Sequence, residues 1–211
     1  SGVRRVVHVS ALGVSASAPS HYLRSKAAGE AVWRDSGLDV TILRPSVIFG
    51  AGDNFLNMFA KLATTAPFLP IGGAGTRFAP VWVDDGARAA AASLARPATV
   101  GRKLDLAGPG VYTLRQLVAY AANLSGHPRT IVGLPEWAAM LQATLLGLLP
   151  GPALLSADNV RSLRVDNVSD QPFPAALLGF APTALEAVVP FYLGQQESNL
   201  TLDRYRARAA R

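Results

Sequence analysis

The first 45 residues contain the pattern that most limits how this chain can fold: a β-branched run, a helical stretch and a second β-branched run. Residues 3–10 (VRRVVHVS) lie between two glycines and predict a buried strand. Apolar residues at helical spacing predict a helix over residues 21–35, and residues 40–43 (VTIL) predict the next strand. Two strands joined through a helix run parallel in one sheet, so we expect an α/β fold.

The rest of the chain continues this alternation. The pattern predicts a helix over residues 54–66, a loop over 67–75, a strand over 79–83, an alanine-rich helix over 86–95 and a strand over 103–107. Asp84 or Asp85 is placed to cap the alanine-rich helix. Thr113 and Thr183 each stand three residues before a Gln or Glu, the capping-box pattern that opens a helix. We therefore expect two further helices, one from Thr113 to about residue 125 and one near the end.

Composition limits what the chain can bind. Hydrophobic residues make up 50% and charged residues 16%, which is typical of a chain with a sizeable core. The absence of cysteine excludes disulfides, thiolate catalysis and cysteine-ligated metals, and three scattered histidines predict no metal site. The formal charge of +6 comes without a nucleic-acid-binding motif, so we expect anionic partners in general and not nucleic acid. A cytoplasmic location fits this composition.

Two C-terminal segments bear on membrane contact. Residues 137–155 are almost uncharged, but two prolines near their end argue against a membrane span. Four large apolar side chains share one side of the helical part: Trp137, Leu141, Leu145 and Leu148. A buried core helix and attachment to a membrane surface both explain this stripe. The basic tail at residues 196–211 favours an anionic partner, such as acidic lipid or a phosphorylated ligand.

The pattern that indicates chemistry is Tyr22, followed four residues later by Lys26 in the first predicted helix. Residues at this spacing share a helix face. A neighbouring ammonium group favours the phenolate and lowers the tyrosine pKa from its usual value of about 10. Such a tyrosine can exchange a proton with a substrate carbonyl or hydroxyl. The alternative is an exposed amphipathic helix in which Lys26 pairs with Glu30.

Two more segments are expected to lie close to Tyr22 and Lys26 in the folded chain. Ser10 ends the first strand, and RPSVIFG at residues 44–50 follows the second. Ligands of open parallel sheets bind beyond the carboxyl ends of the strands, so Ser10, Tyr22 and Pro45 should line one crevice. Taken alone, Ser10 and Pro45 are also compatible with ordinary strand ends that bind nothing.

In this order, four segments resemble the second half of an extended short-chain dehydrogenase/reductase: HVS at residues 8–10, Tyr22-x-x-x-Lys26, LRPxxIFG at 43–50 and PVWVDD at 80–85. That group includes nucleotide-sugar epimerases and dehydratases. The chain is more closely similar to an atypical branch through YLRSKAAGE at residues 22–30, DNFLN at 53–57 and LGFxPT at 178–183. That branch contains the nucleotide-binding accessory subunit of respiratory complex I (alpha subcomplex subunit nine) and its bacterial relatives. The resemblance covers nearly all of residues 1–195.

The resemblance implies roles for the matching residues. Tyr22 would be the acid/base, Lys26 its activator and the anchor of the nicotinamide ribose, and Ser10 the hydroxyl that positions the substrate oxygen. The nicotinamide would lie against four residues after the second strand: Pro45, Ser46, Val47 and Ile48. The implied cofactor is a nicotinamide dinucleotide, NAD or NADP, with NADP the first choice.

The resemblance also implies a domain organisation, in which the C-terminal part of a Rossmann-like parallel sheet is interleaved with a smaller, mostly helical C-terminal domain. Residues 1–50 and about 76–108 would form the Rossmann part, and residues 51–75 and 109–195 the substrate or partner domain. No Gly-x-x-Gly-x-x-Gly turn occurs in the 211 residues, and the chain opens at what would be the fifth strand. We therefore expect the glycine-rich half, with any targeting segment, to lie outside the chain. These residues alone should be inactive, should not bind dinucleotide with useful affinity and should not stay monomeric.

Two functional classes remain open. The first is an NAD(P)-dependent oxidoreductase or epimerase that acts on an unknown small molecule, and the complete set of Ser10, Tyr22 and Lys26 favours it. Only eleven residues separate Ser10 from Tyr22, a shorter loop than sugar epimerases usually have. The second is a non-catalytic, NADPH-binding accessory or assembly subunit of a complex I-like membrane assembly, peripheral at the inner membrane. The closer resemblance and residues 137–155 favour it. A membrane-surface binding module is a third class.

Overall fold

The elements of the fold follow one another as alternating strands and helices in a computed structural model that describes residues 2–148 and 155–194. In chain order they are β1 (Arg5–Val9), α1 (His21–Arg34), β2 (Asp39–Pro45), β3 (Ile48–Phe49), α2 (Leu56–Thr65), β4 (Phe68–Gly72), β5 (Arg77–Phe78), β6 (Val81–Trp82), α3 (Val83–Ala95), β7 (Lys103–Leu106), β8 (Tyr112–Thr113), α4 (Leu114–Leu124), β9 (Thr130–Leu134), α5 (Glu136–Gly147), α6 (Ala157–Ser162), α7 (Ala175–Leu178) and α8 (Val189–Leu193). The expected α/β fold is confirmed.

A three-stranded parallel sheet of order β1-β2-β7 forms the base of the fold. Helix α1 connects β1 to β2, as the βαβ pattern predicts. Strand β2 is central, with β1 on one side and β7 on the other, and its side chains Val40, Ile42 and Leu43 are buried. Strand β1 does have an open edge, since β2 is its only neighbour among the described residues.

Three short strand pairs and the remaining helices build the rest of the molecule. Strand β3 pairs with β6 and β4 with β9, both in parallel, while β5 pairs with β8 in antiparallel fashion. Helices α2 and α4 pack on each other. Their contact forms the largest core, whose fully buried side chains include Phe49, Leu56, Leu117 and Val118. This core lies next to the carboxyl ends of the parallel strands, where the candidate site is found.

Strands β4 and β9 are the main departure from the predicted elements. Residues 67–75 were expected to form a loop because proline and glycine occur there. Pro70 and Gly72 instead lie in β4, in a two-stranded pair with β9, where each strand has a free edge that tolerates proline. The pairing joins residues about 62 positions apart, Phe68 with Thr130 for example, and local patterns do not detect such contacts.

Helix capping follows the prediction at one of the three expected places. Thr113 forms a complete capping box with Gln116 at the start of α4, which confirms that prediction. Helix α3 begins at Val83, so Asp84 and Asp85 lie in its first turn and do not cap it.

The box predicted at Thr183 is wrong. A 3-10 turn (Leu185–Ala187) and then α8 follow this residue, and no capping bond from its side chain opens a helix. The physical reason is that the backbone N–H of Thr183 donates to the buried carboxylate of Asp85 at 2.6 Å, which holds the chain extended at this point.

Helix α5 buries its small residues and exposes its large ones. Ala139 and Ala143 are buried, and Ala139 lies so close to Gly72 that a side chain at Gly72 would collide with it. The large apolar residues of the stripe are between 54% and 78% exposed: Trp137, Leu141, Leu145 and Leu148. The interpretation of the stripe as part of a buried core is therefore wrong. None of the helices in the described ranges is both long and apolar enough to span a membrane. Residues 149–154 and the basic tail at 196–211 lie outside the described residues.

Candidate functional site

The carboxyl ends of β1 and β2 open into a cavity of about 830 Å³. This volume is within the range of small-molecule and cofactor sites, roughly 300–1,000 Å³. Seven residues selected from the sequence line it together: Ser10, Tyr22, Lys26, Pro45, Ser46, Val47 and Ile48. The structure thus brings all of the selected residues to one place, while their chemical roles stay predictions.

Ser10 follows β1 at the entrance to this cavity. Its backbone N–H donates to the carbonyl oxygen of Leu43 at 2.7 Å, which ties the end of β1 to β2. The side chain is buried, and its Oγ makes no hydrogen bond of good geometry among the described residues, although it lies near enough to the Glu30 carboxylate to help lower the pKa of that group. A buried hydroxyl without a well-formed hydrogen bond gains free energy from a suitable partner. Ser10 therefore presents a hydroxyl group in the wall of the cavity.

Tyr22 is set in place by the first turn of α1. Ser20 caps this helix by accepting from the backbone N–H of Leu23 at 3.2 Å. The carboxylate of Asp158, on α6, accepts from the backbone N–H groups of His21 and Tyr22 at 2.7 and 2.9 Å. The hydrogen bonds from Tyr22 and then from His21 lower the pKa of Asp158. An ionised carboxylate at a helix N-terminus also interacts favourably with the helix dipole.

Lys26 lies next to Tyr22 in the wall of the cavity. Its Nζ is 5.9 Å from the centre of the Tyr22 ring and donates to the carbonyl oxygen of Val9 at 3.2 Å. Burial raises the pKa of the Tyr22 phenol, which is opposite to the lowering expected from the lysine. The phenol is therefore protonated at neutral pH, although it stays 47% exposed toward the cavity.

Glu30 does not pair with Lys26, so the alternative of a simple surface pair is wrong. The carboxylate of Glu30 is buried and accepts from Nε and Nη2 of Arg44 at 2.7 and 2.6 Å. Lys103 Nζ lies 3.6 Å from the same carboxylate. Lys26 is thus free of a carboxylate partner among the described residues and faces the cavity.

The segment after β2 is held by Asn167, a residue that the sequence analysis missed. The Asn167 side-chain oxygen accepts from Ser46 Oγ at 2.7 Å and from the backbone N–H of Val47 at 2.8 Å. The Ser46 hydroxyl and the Val47 backbone N–H are therefore engaged within the protein, while both residues still line the cavity. Pro45 and Ile48 remain as apolar surface in the wall. No local signal around Asn167 indicates this role, because its partners lie about 120 positions away.

One part of the cavity wall, called the deep wall below, is mostly apolar, although Gln142 also lines the cavity. Side chains from α2, β4 and the region around α5 form it: Phe55, Met58, Leu62, Phe68, Leu146 and Leu155. Among the described lining residues, the charged ones are Lys26, Asp158 and Asp166. Within residues 2–148 and 155–194, no three His, Cys, Asp or Glu side chains cluster in a way that could hold a metal ion.

Comparison with known proteins relates the chain to two groups, although no family model matches it. It is 33% identical over 196 residues to the mitochondrial NADH dehydrogenase [ubiquinone] 1 alpha subcomplex subunit 9 of Arabidopsis thaliana, covering 88% of this chain and 49% of that protein. The Rattus norvegicus subunit is 32% identical over 188 residues, with coverage of 88% and 50%. A ceramide reductase of Caulobacter vibrioides is 30% identical over 132 residues, or 63% of this chain and 42% of the reductase. The chain spans about half the length of the first two relatives.

Solved structures show the same fold. An NADPH-dependent quinone oxidoreductase of Escherichia coli, in complex with NADPH, superposes with a TM-score of 0.67 at 23% identity, covering 95% of this chain and 66% of that chain. A nucleoside-diphosphate-sugar epimerase of Staphylococcus aureus has a TM-score of 0.67 at 19% identity, with coverage of 92% and 66%. The Rossmann-like fold of epimerases and reductases is therefore shown.

Proposed function

Since the chain is homologous to alpha subcomplex subunit 9 of complex I and has the fold of NAD(P)-dependent epimerases and reductases, we propose that the protein containing it is an NAD(P)H-dependent reductase. Ser10, Tyr22 and Lys26 would form its active site. The observation that carries this proposal is the convergence of these three residues on one cavity.

The residues at the strand ends fit a nicotinamide nucleotide. Pro45 and Ile48 offer an apolar surface to the ring. The Lys26 ammonium has three donors, of which Val9 takes one, so two remain for the ribose hydroxyls. When bound, the reduced cofactor supplies a hydride to the substrate. Either NADH or NADPH satisfies this arrangement, with NADPH our first choice.

Tyr22 would donate the proton. In carbonyl reduction the hydride adds to the carbonyl carbon, and the phenol O–H transfers its proton to the carbonyl oxygen, giving an alcohol. Burial raises the pKa of Tyr22, so the phenol holds the proton that this step needs. Ser10 Oγ would hold the same oxygen by a hydrogen bond.

Two substitutions test this proposal in the full protein that contains the chain. Lys26→Ala should weaken NADPH binding by about tenfold or more, because a charged group's hydrogen bonds to the ribose are lost. Tyr22→Phe should leave binding unchanged and lower turnover by roughly 10² to 10⁴, the usual contribution of a general acid. NADPH and NADH fluorescence titrations with steady-state assays measure both effects.

The matched control is Lys61→Ala, which removes an exposed lysine that does not line the cavity. It should change neither binding nor turnover. Equal NADPH affinity in the wild type and in Lys26→Ala would contradict the assigned role of Lys26. Comparing the NADH and NADPH titrations also decides between the two cofactors.

A second candidate function is a non-catalytic accessory or assembly subunit of a complex I-like membrane assembly. The homology to alpha subcomplex subunit 9 supports it, and so does the exposed apolar stripe on α5, a surface suited to a partner. In this function, bound NADPH would stabilise the fold without turnover. NADPH binding that is equally strong in Tyr22→Phe, with no carbonyl reduction by the wild type, would favour it over the reductase.

A further inference from the structure

We propose that this site takes a neutral substrate with a long apolar chain, bound with its carbonyl group at Ser10 and Tyr22 and its chain along the apolar wall of the cavity. The inference rests on the proposed function, because it names the substrate class of the same site. Three observations carry it: the chemistry of the deep wall, the charge of the whole lining and the residues of the loop that follows β1.

The deep wall is mostly apolar, although the polar side chains of Asn54 and Gln142 also line the cavity. Phe55 immediately precedes α2, and Met58 and Leu62 follow within the helix at helical spacing. All three side chains therefore line the cavity. Phe68 on β4 lines it as well and is 51% exposed. Exposed apolar area of this kind is stabilised by an apolar ligand that removes it from water.

The charge of the lining argues against a phosphorylated substrate. Lys26 is the one cation among the described lining residues, and the proposed cofactor site already uses it. Asp158 and Asp166 also line the cavity, but Asp158 is bonded to the first backbone N–H groups of α1 and Asp166 is paired with Arg77. No second cation is therefore available to a phosphate among the described lining residues. A sugar nucleotide brings a diphosphate, which proteins usually bind with several cations or backbone N–H groups. The described wall therefore favours a neutral molecule.

The loop after β1 gives the same indication. It contributes Ala11 and Leu12 to the cavity, and both are buried and apolar. Hydroxyl-rich sugars need hydrogen-bonding side chains at such positions, because their polar groups cost free energy when buried without partners. Hydrocarbon next to the reacting carbonyl meets no such penalty.

A chain-length series tests the inference in the full protein containing the chain, saturated with NADPH. Displacement of the neutral fluorescent probe Nile red is measured with 2-alkanones from butanone upward and with UDP-glucose. Affinity should rise about three- to fourfold per added methylene until the chain fills the cavity, which follows from about 0.8 kcal/mol per buried methylene. UDP-glucose should not displace the probe.

Phe68→Asp places a charge in the apolar wall and should weaken binding of the longest ketone by about tenfold or more. The matched control, Phe191→Asp, changes an exposed phenylalanine that does not line this cavity and should have no effect. An affinity that is independent of chain length, stronger displacement by UDP-glucose, or equal effects of the two variants would each overturn the inference.

NADPH titration in the same samples separates this inference from the proposed function. If the ketone series shows the expected slope but NADPH does not bind, the reductase proposal fails while the assignment of the cavity to an apolar chain is supported. If NADPH binds but the slope is absent, the assignment of the apolar chain fails alone.

Discussion

Glu30 and Arg44 join α1 to the parallel sheet one helical turn from Lys26. Arg44 donates two hydrogen bonds to the Glu30 carboxylate, and Lys103 lies nearby. Three charged groups thus meet where the Glu30 side chain is only 5% exposed. A buried charge is tolerated when it is paired and hydrogen-bonded, and removal of one partner leaves the other unpaired. This contact therefore fixes the position of α1, and with it the face that presents Tyr22 and Lys26 to the cavity.

Glu30→Gln should lower the free energy of unfolding by about 3 kcal/mol, because it leaves the Arg44 guanidinium without its carboxylate. Urea unfolding of wild type and variant measures the difference. The matched control is Glu136→Gln, which breaks the exposed ion pair with Arg164 and should change stability little. A loss no larger than that of the control would show that the buried pair does not hold α1.

The same pair predicts a pH dependence. Burial raises the pKa of Glu30, but the hydrogen bonds from Arg44 and Ser10, together with the charges of Arg44 and Lys103, outweigh this effect, and the net shift is downward from the ordinary 4.5. A lowered carboxyl pKa stabilises the folded state above the unfolded-state value, and this contribution is lost as the pH falls through the folded-state value. The stability difference between wild type and Glu30→Gln should thus shrink below about pH 4.5.

At the scale of one element, α5 shows how an apolar helix can face outward. Its alanines pack against β4 where Gly72 allows a close approach, and its larger residues are left on the opposite side. The helix is apolar on both sides, so periodicity does not say which side is buried. An exposed apolar stripe on a helix marks a surface for a partner or for a membrane interface.

Vesicle co-sedimentation tests this surface. We expect the protein to co-sediment with vesicles that contain acidic lipid, and the double substitution Leu141→Asp and Leu145→Asp should abolish most of this binding. Each fully buried leucine contributes about 1.5–3 kcal/mol, and a charge in its place adds a desolvation penalty. The control Leu94→Asp changes an exposed leucine on α3 and should bind like the wild type. If the protein binds neither to vesicles that contain acidic lipid nor to vesicles without it, a membrane surface is excluded and a protein partner remains.

At the scale of the whole molecule, hydrogen bonds between residues far apart in the chain hold several loops and helix ends in place. Asp158 fixes the first turn of α1, Asn167 fixes the segment after β2, and Asp85 of α3 holds the backbone of Thr183. The predicted domains, with residues 1–50 and about 76–108 in one and 51–75 and 109–195 in the other, would thus meet at the candidate site. We propose that this contact keeps the cavity in shape.

The open edge of β1 gives the prediction at this scale. The backbone carbonyl of Arg4 accepts from the backbone N–H of Asp39, and the backbone N–H of Ser10 donates to the carbonyl of Leu43. In and around β1, the backbone N–H and C=O groups of even-numbered residues therefore face β2. Those of Val7 point away, and unpaired edges of this kind favour association. A polypeptide of these 211 residues alone should therefore elute as a dimer or larger in size-exclusion chromatography, and Val7→Pro should reduce this association.

The control is Val6→Pro, which removes a donor that faces β2 and should lower stability instead. The same polypeptide should show no binding of NADH or NADPH in isothermal titration, because its sequence contains no glycine-rich turn for the pyrophosphate. Micromolar binding by a monodisperse monomer would contradict both expectations.

Features that depend on neighbouring residues in the chain could be predicted from the amino-acid sequence. The βαβ unit follows from two β-branched runs around a helical pattern, and the capping box at Thr113 follows from two side chains three positions apart. The spacing of Tyr22 and Lys26 places them on one helix face, and the rule for parallel sheets places Ser10 and Pro45 near them.

Features that depend on contacts between residues far apart in the chain became visible in the three-dimensional structure and could not be predicted from the sequence. The pairing of β4 with β9, the hold of Asn167 on the segment after β2, and the partner of Glu30 all join distant positions. The direction of the pKa shift of Tyr22 also depends on the tertiary structure, because burial by the surrounding chain raises this pKa. The physical reason is that periodicity and spacing report local geometry, whereas burial and long-range hydrogen bonds arise from packing of the whole chain.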